Sequence, residues 1–146
     1  MNEPRLFEGG LHVDDRGELG FVNPFDFRDV KRFYTISSHS PGTVRAWHGH
    51  KIESKYFFAV NGVLLVCCVA VDDWENPSKE LPIHRFVLSA HQPAILHIPA
   101  GYANGFMSLT EASKAVVFST ATVEESASDD VRFPARFWNP WSVQER

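Results

Sequence analysis

The stretch that decides the fold is GTVRAWHGHKIESKYFFAVNG, residues 42–62. Two runs rich in β-branched and aromatic residues, 43–50 and 55–61, are bounded by SPG at 40–42 and NG at 61–62. Asn-Gly between apolar runs is a strong hairpin signal, because the favoured two-residue turn needs positive φ at both central residues. The stretch therefore predicts two strands, the second of which turns back at 61–62 into the apolar run 63–71.

The rest of the chain continues this alternation of short strands and turns. A helical turn is expected only in the tail after Glu124. The length of 146 residues, with 44% hydrophobic and 22% charged residues, fits one domain spanning 1–146. We predict an all-β domain, a barrel or jelly roll. The predicted strands are 19–23, 31–37, 43–50, 55–61, 63–71, 84–88, 94–98 and 115–121.

Composition also limits the partners and the compartment. The net charge of −4 argues against nucleic acid as a partner. The longest apolar run, 63–71, is too short to span a bilayer, and residues 1–10 carry no signal-peptide pattern. Cys67 and Cys68 are neighbours on a strand and point to opposite faces, so we expect both to be reduced. We expect a cytoplasmic protein that binds neither nucleic acid nor membrane.

The spacing inside this stretch resembles the first sequence motif of the cupins. Five residues separate Gly42 from His48, and four separate His50 from Lys55. Six residues then separate Lys55 from Gly62. The two histidines share one face of a strand, because side chains alternate along it. The resemblance implies a cupin-type β-jelly roll, also called a double-stranded β-helix.

Two of the usual cupin metal ligands are replaced in this chain. Lys55 stands at the position of the acidic ligand. The second cupin motif resembles PAGYAN at 99–104, where Asn104 stands at the position of the third ligand histidine. A divalent cation prefers carboxylate or imidazole ligands, and an ammonium repels it. We therefore expect no metal at this site.

A narrower resemblance connects the chain to two metal-free cupin families that act on dTDP-4-keto-6-deoxyhexoses. The chain resembles the dTDP-4-dehydrorhamnose 3,5-epimerase family at RAWH (45–48), at Lys55 and at IPAGYANGF (98–106). It resembles the dTDP-sugar 3,4-ketoisomerase family at KRFYTI (31–36) and at the ending SDDVRF (128–133). The resemblance implies an isomerase that needs no cofactor, because the ketone of the substrate is the electron sink. It also implies a homodimer.

The sequence departs from both families, so alternatives stay open. The late-strand tyrosine of the epimerases has no counterpart around 122–124, and their late aspartate has none near 133–134. Ketoisomerases usually have glutamine where Lys55 stands. The leading interpretation is epimerisation of a dTDP-4-keto-6-deoxyhexose at C3, C5 or both through an enolate. The alternatives are a 3,4-ketoisomerase on the same substrate class and a non-catalytic cupin that binds a sugar nucleotide.

The chemistry of proton removal next to a ketone assigns roles to particular side chains. A neutral imidazole is suited to accept the proton, and a fixed ammonium stabilises the enolate oxygen. We therefore expect His48 to be the base and Lys55 the enolate stabiliser. His50 is a candidate second proton carrier. Tyr34 supplies the missing phenol if its strand lines the pocket.

Other side chains are candidates for binding the substrate. Arg45 is suited to the diphosphate, because a guanidinium forms paired hydrogen bonds with it. Strict alternation puts Arg45 on the face opposite His48. Either a bulge turns Arg45 back, or it reaches substrate across a subunit boundary. Trp47 is a further candidate for stacking. The remaining candidates are Arg16, Tyr34, Tyr102, Asn104 and Phe106.

Several charged residues have a simpler interpretation. Glu53 lies two residues out of register with the acidic cupin ligand, and we interpret it as a solvated charge at the end of a strand. The acidic pairs at 124–125 and 129–130 are interpreted as one solvated face. The remaining histidines are assigned to the surface or the core. They are His12, His39, His84, His91 and His97.

Overall fold

In the computed structural model, which describes residues 2–146, the chain forms two five-stranded antiparallel sheets that pack face to face. A separate two-stranded hairpin is formed near the N-terminus. This arrangement confirms the prediction of an all-β cupin-type jelly roll. The elements are β1 (Arg5–Glu8), β2 (Gly10–Asp14), β3 (Gly17–Phe21), β4 (Arg32–Ser37), β5 (Val44–His50), β6 (Lys55–Asn61), β7 (Val63–Ala70), β8 (His84–Ser89), β9 (Ala94–Ile98), β10 (Tyr102–Ser108), β11 (Lys114–Ser119), α1 (Val123–Ala127) and β12 (Val131–Arg132).

The strand order places residues that are distant in sequence side by side. The first sheet has the order β1-β9-β6-β11-β4, and the second has the order β12-β5-β10-β7-β8. All eight predicted strands are present, whereas β1, β2, β10 and β12 were not predicted. The missed β10 pairs with both β5 and β7. In the described part of the chain, no helix has the length and hydropathy required of a membrane span.

The main core lies between the two sheets. Alternation along β6 turns Lys55, Phe57 and Ala59 inward, and all three are buried. Inward residues of β7 and β10 pack against them from the second sheet. The buried members of this core are Phe57, Ala59, Leu64, Val66, Cys68, Leu88, Leu96, Ile98, Tyr102, Phe106, Ala115 and Val117.

A second core covers the outer face of the second sheet. The segment after β12 folds over this face, and its Trp138 packs edge to face against Trp47 with ring centroids 5.5 Å apart. The indole Nε1 of Trp47 donates hydrogen bonds to the carbonyl oxygens of Ala135 and Trp138. The expectation that Trp47 stacks on a ligand is therefore wrong, because its ring is wholly buried here.

Burial on both faces explains why β7 is apolar without alternation. Cys68 faces the core between the sheets, and Cys67 faces the second core. Both thiols are free, as expected, and burial raises the pKa of Cys67 to about 12. Thiols in such surroundings are poor nucleophiles, so neither cysteine is a candidate for catalysis.

We predict that Trp138→Ala destabilises the protein by about 3–5 kcal/mol, because it removes a large buried side chain and leaves a cavity against Trp47. Urea unfolding followed by fluorescence measures the loss. The control Val143→Ala removes a side chain that is 67% exposed and should change stability by less than about 0.5 kcal/mol. Equal effects of the two substitutions would contradict the role of the second core.

Candidate active site

A cavity of about 240 Å³ opens between the two sheets, at the end where β4 and β5 lie. Strands of both sheets contribute side chains to its walls, and the segment that contains α1 and β12 closes one side. The side chains around it are largely polar or charged. The lining residues are Tyr34, Ile36, Arg45, His48, His50, Lys55, Phe57, Asn104, Phe106, Ser126, Asp130 and Arg132.

A bulge in β5 brings Arg45 to the same cavity as His48. In the pairing of β10 with β5, Asn104 lies opposite His48, and Phe106 lies opposite Arg45. Three steps along β5 therefore match two steps along β10, so β5 contains one extra residue. An extra residue of this kind inverts the alternation of side chains beyond it. The apparent conflict between Arg45 and His48 is resolved within one chain.

Lys55 and Tyr34 form a hydrogen-bonded pair on the wall supplied by the first sheet. The Lys55 Nζ donates to the Tyr34 Oη over 2.9 Å. Lys55 is 8% exposed, and Tyr34 is half-buried. They come from β6 and β4, which both pair with β11. The pair presents an ammonium and a phenol to the cavity from one side.

His48 lies on the opposite wall, supplied by the second sheet, and is half-buried. Burial lowers the pKa of the imidazole, and the positive charges of Arg132 and Lys55 lower it further. Asp130 acts in the other direction. Arg132 comes close because β12 pairs with β5 and places Arg132 directly opposite His48. The imidazole of His48 is therefore neutral at pH 7 and able to accept a proton.

The hydrogen bonds of His50 determine which of its nitrogens carries the proton. Its Nδ1 lies 2.7 Å from the carbonyl oxygen of Asp129. A carbonyl oxygen only accepts, so Nδ1 donates and the neutral ring has a free lone pair on Nε2. This Nε2 is buried and, within residues 2–146, has no hydrogen-bond partner. Burial and the charge of Lys55 lower the pKa of His50.

The interpretation of Glu53 and Asp129 as solvated charges is wrong. Glu53 is 2% exposed and Asp129 is 7% exposed. The Asp129 carboxylate accepts three consecutive backbone N–H groups, those of Lys51, Ile52 and Glu53, at 2.7, 2.9 and 2.8 Å. The charges are buried because the segment after α1 folds onto the β5–β6 loop, a contact between parts of the chain that are distant in sequence.

His50, Glu53 and Asp129 form a cluster of potential metal ligands, but their other contacts disfavour a cation. Their ligand atoms lie within 4.8 Å of one another. The oxygens of Asp129 already accept backbone N–H groups. Those of Glu53 face the guanidinium of Arg32 at 3.3 Å and the ammonium of Lys55 at 3.8 Å. Positive charges at these distances oppose a divalent ion, so we interpret the cluster as an ion-pair network.

The structure brings most of the candidate site residues together. The candidates that line the one cavity are Tyr34, Arg45, His48, His50, Lys55, Asn104 and Phe106.

Two candidates lie outside this cavity. Tyr102 is in the main core, and its hydroxyl donates to the carbonyl oxygen of Asn2 over 3.1 Å. Arg16 lies in the turn of the β2–β3 hairpin, where its Nε donates to an Asp14 oxygen at 3.1 Å. The side chain of Arg16 is 84% exposed, because the hairpin pairs only with itself.

Three residues that line the cavity were not predicted from the sequence. Ser126, Asp130 and Arg132 come from the segment around α1 and β12. Arg132 donates from Nε to an Asp130 oxygen at 3.1 Å, so the two charged groups form a pair beside the cavity. The resemblance of 128–133 to the ketoisomerase ending was the one signal in the sequence that this segment belongs to the site.

Comparison with known proteins identifies relatives that match most of the chain. A family model described as dTDP-4-dehydrorhamnose 3,5-epimerase matches residues 7–136. A spore coat polysaccharide biosynthesis protein, SpsL, from Bacillus subtilis (strain 168) is 26% identical over 126 residues, which are 84% of this chain and 82% of that protein.

Solved structures with the same fold include both epimerases and ketoisomerases. The dTDP-4-dehydrorhamnose 3,5-epimerase of Bacillus anthracis, with TDP and pyrophosphate bound, superposes with a TM-score of 0.77 at 20% identity, over 98% of this chain and 87% of that chain. The QdtA 3,4-ketoisomerase of Thermoanaerobacterium thermosaccharolyticum, a double mutant in complex with TDP, gives 0.69 at 19% identity, over 94% and 93%. This chain spans only 64% of an epimerase from Mycobacterium tuberculosis, with a TM-score of 0.66 at 20% identity over 82% of this chain.

We predict that the free energy of unfolding decreases as the pH is lowered below about 6.5, the ordinary pKa of histidine. Burial lowers the pKa of His48 and His50, so between the folded and unfolded pKa values the unfolded chain binds more protons than the folded protein. Urea unfolding at pH 7.5 and 5.5 measures the difference. His50→Gln should lose less stability between these pH values than the wild type, whereas the exposed control His91→Gln should lose as much. Equal losses in all three proteins would contradict the prediction.

Proposed function

Since this chain belongs to the dTDP-4-dehydrorhamnose 3,5-epimerase family, we propose that its cavity binds a dTDP-linked 4-keto-6-deoxyhexose and moves a proton on the carbon next to the ketone. The prediction of a sugar-nucleotide isomerase is confirmed at the level of the family. The arrangement that carries the specific proposal is a neutral imidazole on one wall of the cavity and an ammonium–phenol pair on the other.

The charges around the cavity support an anionic ligand. Three cationic side chains, those of Arg45, Lys55 and Arg132, line it against one carboxylate, that of Asp130. The whole chain has a net charge of −4, so the positive charge is concentrated locally. Arg45 and Arg132 are exposed on the open side, where a diphosphate can be bound with part of its charge in water. We assign these two guanidinium groups to the diphosphate.

The proton is removed by His48. Its neutral imidazole accepts the proton from the carbon next to the ketone, and the electron pair of that C–H bond moves to the ketone oxygen. The resulting enolate oxygen is stabilised by the ammonium of Lys55, which strand β6 holds in place. The lowered pKa of His48 suits this role, because the base must be free of its proton at neutral pH.

Inversion of the carbon requires a proton from the opposite face of the sugar ring. Tyr34 lies on the sheet that faces His48, and its hydroxyl accepts a hydrogen bond from Lys55 over 2.9 Å. A neighbouring ammonium stabilises the phenolate that remains after the phenol has given up its proton. We therefore assign Tyr34 as the acid that replaces the late-strand tyrosine of the epimerases. His48 then returns its proton to solvent, and Tyr34 takes one back.

A second candidate reaction, 3,4-ketoisomerisation, is favoured by the position of His50. His48 and His50 lie on the same face of β5, and both line the cavity. Two proton carriers on one side of the ring suit the transfer of a proton between neighbouring carbons through an enediol. The free lone pair of the His50 Nε2 is available for this transfer.

We also propose that the protein is a cytoplasmic homodimer in which the β2–β3 hairpin of one copy reaches the other copy. In one chain the hairpin pairs with no other strand, and it exposes apolar side chains, with Val13 at 66% and Leu19 at 60%. A second copy would cover these side chains and place Arg16 beside the partner's cavity. The free, buried Cys67 and Cys68 support a reducing compartment.

We predict that His48→Asn lowers kcat by about 10²- to 10⁴-fold, because the base is lost. Lys55→Gln should lower it by about 10²- to 10³-fold through loss of enolate stabilisation. The assay incubates the protein with a dTDP-4-keto-6-deoxyhexose in deuterated water and follows carbon-bound hydrogen by NMR. Epimerisation exchanges hydrogen at an inverted carbon, whereas ketoisomerisation moves the carbonyl.

Matched controls separate the site from general effects of the substitutions. His91→Asn and Lys114→Gln change exposed residues of the same types and should keep wild-type rates. Exchange at the wild-type rate in His48→Asn would reject its role as the base. Wild-type protein that binds dTDP tightly but exchanges no hydrogen would favour the non-catalytic binding protein.

The dimer predicts complementation between two defective chains. If Arg16 acts in the partner's cavity, Arg16→Gln and His48→Asn chains should each be weakly active alone. Co-refolded in equal amounts, half of the dimers are mixed, and each mixed dimer has one intact site, so about a quarter of the wild-type activity returns. Analytical ultracentrifugation checks the dimer. No recovery with mixed dimers present would reject the action of Arg16 across the interface.

A further inference from the structure

Glu53 is a buried carboxylate, and both of its oxygens accept hydrogen bonds. Its side chain has no solvent exposure. The hydroxyls of Ser119 and Ser126 donate to it over 2.6 and 2.8 Å, and the Arg32 Nη2 donates over 3.3 Å. These three partners come from β11, α1 and β4. A carboxylate bonded in this way is held in one position.

The same carboxylate contacts two of the groups assigned to the chemistry. One oxygen lies 3.8 Å from the Lys55 Nζ, and the other lies 3.4 Å from the His50 Nδ1. Glu53 itself does not line the cavity, whereas Lys55 and His50 do. Glu53 therefore stands behind the reactive groups, where it has no contact with substrate.

Burying a negative charge at this position costs free energy, and packing alone does not explain why a charged residue is present. Removing a carboxylate from water is unfavourable unless it is paired and hydrogen-bonded. Ser119 donates to one carboxylate oxygen and Ser126 to the other, so a glutamine, with one acceptor oxygen and no charge, could accept only one of these hydrogen bonds. The negative charge matters for Lys55, because an ammonium that is 8% exposed also needs a counter-charge.

We propose that Glu53 is a positioning residue for catalysis, which holds the Lys55 ammonium in the orientation the reaction needs and places a negative charge beside the His50 ring. The inference rests on the proposed function. The serines and Arg32 fix the carboxylate, and the carboxylate attracts the Lys55 ammonium on β6. The His50 ring is oriented by its hydrogen bond to the carbonyl oxygen of Asp129, and Glu53 adds a negative charge 3.4 Å from its Nδ1. The enolate oxygen and the migrating proton then meet groups that do not have to reorient.

The first measurement requires no substrate. NMR titration of the histidine rings compares the wild type, Glu53→Gln and the control Glu124→Gln, which removes an exposed carboxylate from α1. The charged groups that face His50 are Lys55, Glu53 and Asp129, with His48 nearby. Glu53 raises the pKa of His50 and Lys55 lowers it, so Glu53→Gln should lower this pKa further. Glu124→Gln should leave it unchanged.

The second measurement is steady-state kinetics of the same three proteins. Displacement of reactive groups by a fraction of an ångström to an ångström costs about tenfold to a hundredfold in rate. Glu53→Gln should therefore lower kcat by about tenfold to a hundredfold, with KM and the Kd for dTDP changed by less than about threefold. Glu124→Gln should match the wild type in all three quantities.

Distinct outcomes separate the possible failures. A folded Glu53→Gln with wild-type kcat and an unchanged pKa of His50 would overturn the proposal. An equal loss of kcat and of the folded fraction, measured by thermal unfolding, would show that the role is structural only. If even the wild type fails to turn over the sugar nucleotide, the proposed function fails. In that case the titration alone tests the contact between Glu53 and His50. A lowered pKa of His50 in Glu53→Gln would support the contact, and an unchanged pKa would reject it.

Discussion

The charge of Lys55 inside the jelly roll is the constraint on which the site depends. An ammonium on an inward position of β6 cannot be left without partners, because the cost of burying an unpaired charge exceeds what a small protein can tolerate. The hydroxyl of Tyr34 and the carboxylate of Glu53 meet this need from β4 and from the β5–β6 loop. Glu53 in turn requires Ser119, Ser126 and Arg32. The requirements of one cation thus extend to three strands of the first sheet, to the β5–β6 loop and to α1.

The sequence predicted most of the strands because their signals are local. Alternation and turn residues mark β4, β5 and β6. The hairpin predicted at Asn61-Gly62 is wrong, because the chain crosses there from one sheet to the other and β6 does not pair with β7. The strand β10 was missed because YANGFMS contains a glycine and an asparagine and has no alternation. All of its residues are buried, since one core lies on each face. Burial on both faces removes the polar positions on which recognition of a strand depends.

The candidate site was predictable where its residues lie close together in sequence. The spacing of His48, His50 and Lys55 was enough to place them in one cavity. The partners Glu53 and Asp129 were not recognised, because a single acidic residue in a polar stretch looks the same whether water or a folded segment surrounds it. Their burial results from pairing between β12 and β5, a contact over about eighty residues of chain that no local pattern records.

The segment around α1 and β12 differs in character from the rest of the walls. It is held by a capping box at Thr122, by the hydrogen bonds of Asp129 and by a strand of only two residues. The sandwich keeps both of its cores whatever side chains this segment presents to the cavity. Substitutions at Asp130 and Arg132 would therefore alter the entrance of the cavity and, through the pKa of His48, the base as well, whereas a substitution at Ser126 would remove a hydrogen bond from Glu53.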